Sequence, residues 1–386
     1  MTRDSYIRRI EVFPAAYPTR GSFKFLQTPA GLPPGRRTVV VKLTDDAGRI
    51  GWGQAVPSHL WSYETPETVR STIEHYFTPA LVGRDSSDLA GCEAALHRAI
   101  GPGFSTGQPI AKAALDLALW DLRGRRTGRS VASLLRDEAP ELAGSAAADC
   151  VTLSWTINTT DLAEAERSVA EAHALGYRHF NVKVAPNVDF DLELCRTVRR
   201  LAPEAFVWVD ANGGYDVASA AAIAPRLAEL GVAALEQPLP TNRLTGYVEL
   251  RKQRALPILL DESIVSTSDF DEFHRLGMHD GVAVKLARMG GLTETWRLAR
   301  RLRKTNMLFY ASGLTDPDLS LAASLQLFAA AGLTLPAALN GPQFLTGSIL
   351  REPLVPHGDQ MAVPTGPGLG VDVDEDRLRE LLEPQS

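Results

Sequence analysis

The arrangement of apolar residues changes character near residue 150. Before it, three runs read as strands, at 7–13, 38–43 and 50–55, with Asp45-Asp46-Ala47-Gly48 as the turn between the last two. Helical spacing follows at 67–81, at 89–100 and after Pro109, where Ala111, Ala114, Leu115, Ala118, Leu119 and Leu122 share a face and Gly124 lies near the C-terminal end. Such a helix belongs to a core, and its Asp116 and Asp121 are expected to be structural. Strands and then helices, without alternation, indicate an α+β unit. Between the first two strands runs a Gly- and Pro-punctuated loop, 17–37, that carries Phe23 and Phe25. A loop of that length is either a binding lid or a disordered connection.

From Cys150 onward the pattern is alternation. Strand-like runs at 151–155, 180–184, 205–210, 234–236, 258–261, 282–286, 307–311 and 336–339 are separated by helical patterns such as 161–175, 189–201 and 218–230. Strands alternating with helices predict an α/β fold, a (β/α)7–8 TIM-type barrel whose last helix is irregular or replaced. A doubly wound open sheet is the alternative, because alternation alone does not report closure. After Asn340 the rhythm is lost. Short strands are expected at 361–364 and 369–373 and a final helix at 375–382. The intervening Thr365-Gly366-Pro367-Gly368 reads as a turn, since no Lys-Ser/Thr pair or strand-to-helix transition makes it a phosphate loop.

Ionisable residues interrupt the apolar runs at nearly constant intervals. Lys183, Asp210, Glu236, Asp261 and Lys285 are separated by 27, 26, 25 and 24 residues, each at or near the end of a predicted strand. A barrel repeat takes roughly thirty residues or slightly fewer, and the strand ends share one face. The five side chains are therefore expected in one pocket. Three converging carboxylates repel one another unless a cation or proton neutralises them. With oxygen ligands only, the expected cation is hard, Mg²⁺ or Mn²⁺. Lys183 and Lys285 flank the arc, where burial and a metal both favour the neutral amine that a base requires. Two ordinary lysine–carboxylate salt bridges are the alternative.

Composition narrows the setting. A formal net charge of −6, from 40 basic and 46 acidic residues, gives no electrostatic reason to expect nucleic acid or an anionic membrane as partner. No apolar run approaches the ~20 residues of a membrane span. The segment 1–5 lacks the apolar core of a secretory signal, so a cytoplasmic protein is expected. Cys92, Cys150 and Cys195 are an odd number without metal-ligand spacing, which predicts buried free thiols.

Taken together, these residues resemble the enolase superfamily, in its muconate-lactonizing branch of mandelate racemase/muconate lactonizing enzyme-like proteins. The resemblance runs through the helix 111–122, Asp210-Ala211-Asn212, Glu236-Gln237-Pro238, Asp261-Glu262-Ser263, Lys285-Leu286-Ala287-Arg288-Met289-Gly290-Gly291 and the tail 363–370. It implies an N-terminal α+β capping domain at 1–130, a barrel at 131–340 and a segment at 341–386 that returns to the capping domain. It also implies Asp210, Glu236 and Asp261 as metal ligands and Lys183 and Lys285 as acid/bases. The chemistry implied is Mg²⁺-dependent removal of the proton α to a carboxylate, giving a metal-stabilised enolate. A racemase/epimerase or cycloisomerase acting on a small carboxylate or amino-acid derivative is expected, with a dehydratase of hydroxy acids or acid sugars as the alternative. A homo-oligomer, dimer or octamer, is implied as well.

Three positions depart from the branch. Its Lys-x-Lys is here Asn181-Val182-Lys183, which gives Lys183 a neutral neighbour on the same strand face and lets Asn181 hydrogen-bond a substrate carboxylate. Asp316 stands where the branch has a glutamate, with Asp318 as a competing choice. Ala338-Leu339-Asn340 replaces the Asp-x-Asp of dipeptide epimerases, which disfavours a substrate with a free ammonium. Asn212, Glu262 and Asn340 are the other candidates for contacts with substrate or ligands. Phe23, Phe25, Trp61 and Phe104 are candidates for an apolar lid. Two readings come from other classes. A Schiff-base aldolase on Lys183 or Lys285 leaves the carboxylates unexplained, and a non-catalytic barrel predicts no chelator-sensitive turnover.

Overall fold

The computed structural model describes residues 5–21, 23–32, 34–103, 105–142 and 148–383. Strands β1 (Ile7–Tyr17), β2 (Arg36–Asp45) and β3 (Ile50–Ala55) form an antiparallel sheet in sequential order. The β2–β3 turn forms because Asp45 Oδ1 accepts from Ala47 N at 3.0 Å and Arg49 N at 2.9 Å. The pattern at 67–81 is a helical run with a π turn at Ile73–Phe77 between Pro66–Thr72 and Thr78–Leu81. Pro79, which has no N–H to donate, lies just past that wider turn.

The predicted core helix is Pro109–Thr127. It lies against β3 so closely that a Cβ on Gly53 would fall 1.9 Å from the Ala114 carbonyl oxygen, and one on Gly51 2.1 Å from that of Ala118. Its buried acids make the structural bonds expected of them. Asp121 accepts from Trp52 N at 2.9 Å and Leu369 N at 2.8 Å, and Asp116 from Thr293 N at 3.1 Å. The helix thereby joins the first sheet, the chain's last segment and the second half of the fold.

The strand predicted at 151–155 is in fact two. β4 (Cys150–Thr152) pairs antiparallel with β12 (Gln360–Ala362), while β5 (Trp155–Ile157) begins a parallel sheet. That sheet continues through β6 (Phe180–Lys183), β7 (Val207–Asp210), β8 (Leu235–Glu236), β9 (Ile258–Leu260), β10 (Gly281–Val284) and β11 (Leu308–Ala311). Its spatial order is the chain order, without the reversal that defines a doubly wound sheet. The eighth predicted strand, 336–339, supplies only parallel bridges, Ala337 to Leu153 and Ala338 to Ser312, which link the two edges of the sheet. The architecture is TIM-like α/β with a separate antiparallel unit.

Alternation along the strands sorts the two faces. Trp208, Ala234, Leu259, Tyr310 and Ala338 form a small apolar cluster. Trp208, Ala234 and Leu259 each lie two residues before Asp210, Glu236 and Asp261, so the cluster floors the layer that carries the carboxylates. The tail returns to the first sheet, with Ala16 N donating to Leu381 O at 2.9 Å and Glu383 N to Pro14 O at 3.0 Å. The expected strand 369–373 is reduced to one bridge, Val373 to Leu350, and the last helix is Glu375–Glu380. Cys92 and Cys195 are buried, whereas Cys150 is exposed, contrary to expectation, because β4 pairs with β12 instead of entering the parallel sheet. No helix among the described residues is long and apolar enough to cross a membrane.

Candidate active site

Parallel pairing brings the charged residues together. Lys183 stands beside Asp210 in the register of β6 and β7, and Asp210 beside Glu236 in that of β7 and β8. Asp261 follows β9 and Lys285 follows β10 directly. Carboxylate oxygens of Asp210, Glu236 and Asp261 all lie within 4.8 Å of one another, and all three residues are buried. Lys183 Nζ donates to Asp210 Oδ2 at 2.5 Å, and Lys285 Nζ to Asp261 Oδ2. The five residues separated by 24 to 27 positions in sequence thus form one cluster, with an amine at each end.

The cluster leaves acceptors over. Glu236 Oε2 accepts from Trp208 Nε1 at 2.9 Å, but its Oε1 has no donor. Asp261 Oδ1 has only Arg288 Nε, 3.5 Å away and outside hydrogen-bond geometry. Burial, then Asp210 and Asp261, push the Glu236 carboxyl well above its ordinary range. Burial also raises Asp210, yet Lys183, Lys285 and Lys24 outweigh it and hold that carboxyl low. Oxygen donors with unfilled lone pairs and mutual repulsion fit a hard divalent cation. Within the protein's own charges the Lys183 amine is pulled both ways. Desolvation lowers it, but Asp210, Glu236 and Asp261 together outweigh that and raise it.

Surrounding bonds hold the loops after the strands. Asn212 donates from N and Nδ2 to Asp210 at 2.8 and 2.9 Å, and from Nδ2 to Glu262 Oε1 at 3.1 Å. Gln237 Oε1 accepts from Asp261 N at 2.9 Å, and its Nε2 donates to Ser263 Oγ at 2.8 Å, joining the β8 and β9 ends. Asn212 and Gln237 adopt φ of 45° and 37°, backbone strain gathered at the edge of the cluster. Burial, Asp261 and Asp210 raise the Glu262 carboxyl.

Other predicted residues fall into two groups. Asn181 is buried below Lys183 with neither side-chain polar atom partnered, and Asn340 donates to Thr156 Oγ1 at 3.3 Å while its Oδ1 has no donor. Burial raises the Asp316 carboxyl against the charges of Arg36 and, more weakly, Lys285, and Ser320 Oγ donates to it at 3.1 Å. Asp318 instead accepts from Ser348 Oγ at 2.6 Å and Ile349 N at 2.8 Å, which ties it to the tail. A cavity of about 600 Å³ touches Asp316 and Asp318 but none of the three carboxylates or two lysines.

The described residues of the 17–37 loop pack against Trp61, Phe344 and the strand-end loops. Arg20 Nε donates to Gln343 O at 2.8 Å, and Arg36 Nη2 donates to Leu314 O at 2.7 Å, so both flanks are pinned. Phe25 stacks on Trp61 with ring centroids 3.9 Å apart, and Phe23 stacks on Phe344 at 4.8 Å. Lys285 Nζ lies 4.1 Å and Lys183 Nζ 5.8 Å from the Trp61 ring centre. Trp61 Nε1 donates to Glu262 Oε1 at 2.6 Å. Phe104 lies outside the described residues.

Sequence reasoning missed two cations. Arg288, one turn after Lys285, donates to Trp61 O at 3.0 Å while facing Asp261. Its spacing from Lys285 was the available signal. Lys24, between the two lid phenylalanines, faces Asp210, Lys183, Glu262 and Lys285, and its burial above all lowers its amine to about 8. No periodicity marks it.

A TIM-like α/β scaffold gathers a potential metal cluster and two buried lysines beneath stacked aromatic rings, the make-up of an enzyme site. The family described as mandelate racemase/muconate lactonizing enzyme, N-terminal domain, matches residues 26–136, and the enolase C-terminal domain-like family matches 162–377. Chloromuconate cycloisomerase CbnB from Cupriavidus necator is 33% identical over 338 residues, 86% of this chain and 87% of that protein. The muconate lactonizing enzyme structure from Klebsiella pneumoniae superposes with a TM-score of 0.86 at 28% identity, covering 98% of this chain and 99% of that one. That from Pseudomonas fluorescens, complexed with muconolactone, gives 0.86 at 29% identity, covering 98% and 100%. The chain therefore belongs to the mandelate racemase/muconate lactonizing enzyme family, and it is an isomerase of the enolase superfamily.

Proposed function

We propose that the chain is a Mg²⁺-dependent racemase/epimerase or cycloisomerase that removes the proton α to the carboxylate of a small organic acid. The observation that carries this reading is the placement of Lys183 and Lys285 at opposite ends of one carboxylate arc. Asp210, Glu236 and Asp261 would hold the ion, an assignment supported by the donorless oxygen of Glu236 and the acceptor left over on Asp261. A bound divalent ion supplies positive charge that lowers the cost of a second negative charge on the substrate carboxylate.

The chain's own residues do the rest. A neutral lysine amine takes the α-proton as the C–H bond breaks, and the electron pair passes into the carboxylate. In a racemisation or epimerisation the opposite lysine returns a proton from its ammonium to the other face of that carbon. In a cycloisomerisation one lysine handles the proton while a ring C–O bond breaks or forms. Trp61 and Phe25 cover the amines and exclude water. Domain bounds of 1–130, 131–340 and 341–386 are part of the same reading. The family matches at 26–136 and 162–377 support the first division, and the bonds of Leu381 and Glu383 to β1 support the last.

The test is exchange at the α-carbon in D₂O. Muconolactone, present in one relative's structure, and a panel of N-acylamino acids and hydroxy acids are incubated with Mg²⁺-loaded protein and read by ¹H NMR. Chelator-sensitive deuteration of at least one acid is expected. Absence of exchange across the panel, or exchange that EDTA leaves untouched, contradicts the proposal.

A further inference from the structure

We infer that Gln237 is a positioning residue that sets the spacing of Asp210, Glu236 and Asp261, and through it the preference of the site for a small octahedral ion over a larger one. The inference rests on the reading of those three carboxylates as metal ligands.

Gln237 is fully buried, and its hydrogen bonds go to none of the three carboxylates but to the chain around them. It follows Glu236 directly. Its carbonyl oxygen accepts from Gly213 N at 2.7 Å, on the loop that leaves Asp210, and its own N–H donates to Leu259 O at 2.8 Å, two residues before Asp261. On the side chain, Oε1 accepts from Asp261 N at 2.9 Å and from Ser263 N at 3.3 Å. Nε2 is directed at Tyr247 Oη at 2.6 Å, Ser263 Oγ at 2.8 Å and Leu239 O at 3.1 Å. One residue thus ties together the ends of β7, β8 and β9.

The amide cannot be turned over. Backbone N–H groups only donate and the Leu239 carbonyl only accepts, so the oxygen and nitrogen of Gln237 are each fixed by their partners. Tyr247, itself fully buried, donates to the same Leu239 carbonyl and offers a lone pair to Nε2. A φ of 37° at Gln237 is strained for a residue with a side chain and persists only where the surroundings over-determine it. Those surroundings are strand ends whose carboxylates lie within 4.8 Å of one another. Repulsion would drive the ends apart, and a neutral clamp on the main chain resists it without changing any charge. Rigidity matters most for Mg²⁺, which takes near-ideal octahedral geometry at about 2.0–2.1 Å, whereas Ca²⁺ accepts irregular sites at about 2.3–2.6 Å. A fixed spacing discriminates between the two ions, and a slack one does not.

The test is calorimetric titration of the EDTA-stripped full-length protein with Mg²⁺ and with Ca²⁺, in wild type, Gln237→Met and Tyr247→Phe. Gln237→Met keeps the length of the side chain and loses all of its hydrogen bonds. Its Mg²⁺ affinity should fall about 10–100-fold, as for other residues that hold metal ligands in place. Its Ca²⁺ affinity should fall less, so that the Mg²⁺-to-Ca²⁺ affinity ratio drops about 10-fold or more. Tyr247→Phe removes one partner of the amide and should lower the ratio about 3-fold, as for one neutral hydrogen bond, and it carries the test if Gln237→Met does not fold. An unchanged ratio in folded Gln237→Met, or in Tyr247→Phe where only that variant folds, overturns the proposal. So does an equal loss of both ions, the mark of a merely structural role. A wild type that binds neither ion defeats the metal reading itself, and the inference with it.

Discussion

Neutralising Glu236 should change stability in opposite directions with and without a metal. Its carboxylate lies within 4.8 Å of those of Asp210 and Asp261. At that separation and an effective dielectric of about 20, each like-charge pair costs roughly 3.5 kcal/mol. Lys183 and Lys285 offset part of this, although they bond to Asp210 and Asp261 and not to Glu236. Glu236→Gln keeps an acceptor for Trp208 Nε1 and removes the repulsion. In EDTA the variant should therefore be more stable than wild type by about 1–3 kcal/mol, the part of that repulsion left after the offset. With Mg²⁺ at about 100 times its dissociation constant, wild type should gain about 2.7 kcal/mol. The variant, short of one ligand, should gain far less, so the order of stability reverses. Urea midpoints of both proteins, with EDTA and with Mg²⁺, read this directly. A variant no more stable than wild type in EDTA, or one that gains as much from Mg²⁺, refutes the view that the three carboxylates are assembled for a cation.

Three further outcomes are expected. Burial pushes the Glu64 carboxyl up to about 7, against backbone bonds from Ile110 and Ala111 and the charge of Lys112. The folded state then holds that proton more tightly than the unfolded chain, whose value is near 4.5. Stability should fall as pH rises from about 4.5 to 7, so Glu64→Gln should gain on wild type between pH 5 and pH 8 in urea unfolding, and a pH-independent difference would contradict this. Gly53→Ala places a Cβ 1.9 Å from the Ala114 carbonyl oxygen. It should cost about 1–3 kcal/mol or more in the same assay, and a neutral effect would show that the helix can move off β3. In the native protein only Cys150 should react promptly with a thiol reagent, because burial raises the Cys92 thiol to about 11 and the Cys195 thiol to about 12. Three fast thiols would contradict the fold at those positions.

Much of this site is legible from spacing because a parallel α/β fold turns chain order into spatial order. Asp210, Glu236 and Asp261 end consecutive strands, and neighbouring strands must be adjacent. What escapes is whatever depends on pairing across the chain. The run 151–155 has the apolar content of a barrel strand, yet Cys150–Thr152 finds its partner at Gln360–Ala362, some two hundred residues away, and Cys150 is exposed as a result. The last predicted strand, 336–339, contributes two bridges, a reduction that apolar content alone does not report. Sequence favours Asp316 but leaves Asp318 in competition, and only packing separates the acid that faces Arg36 from the one that fastens the tail. Lys24 is invisible for the same reason, since its position follows from where an aperiodic loop comes to rest.

The central claim is that Lys183 and Lys285 act on opposite faces of one bound acid. Its most direct test uses both enantiomers of a substrate that exchanges, each followed separately for loss of the α-proton in D₂O by wild type, Lys183→Ala and Lys285→Ala. The account predicts that one variant loses exchange from one enantiomer and the other variant from its mirror image, each by about 10²-fold or more. Full exchange of both enantiomers by either folded variant would contradict it.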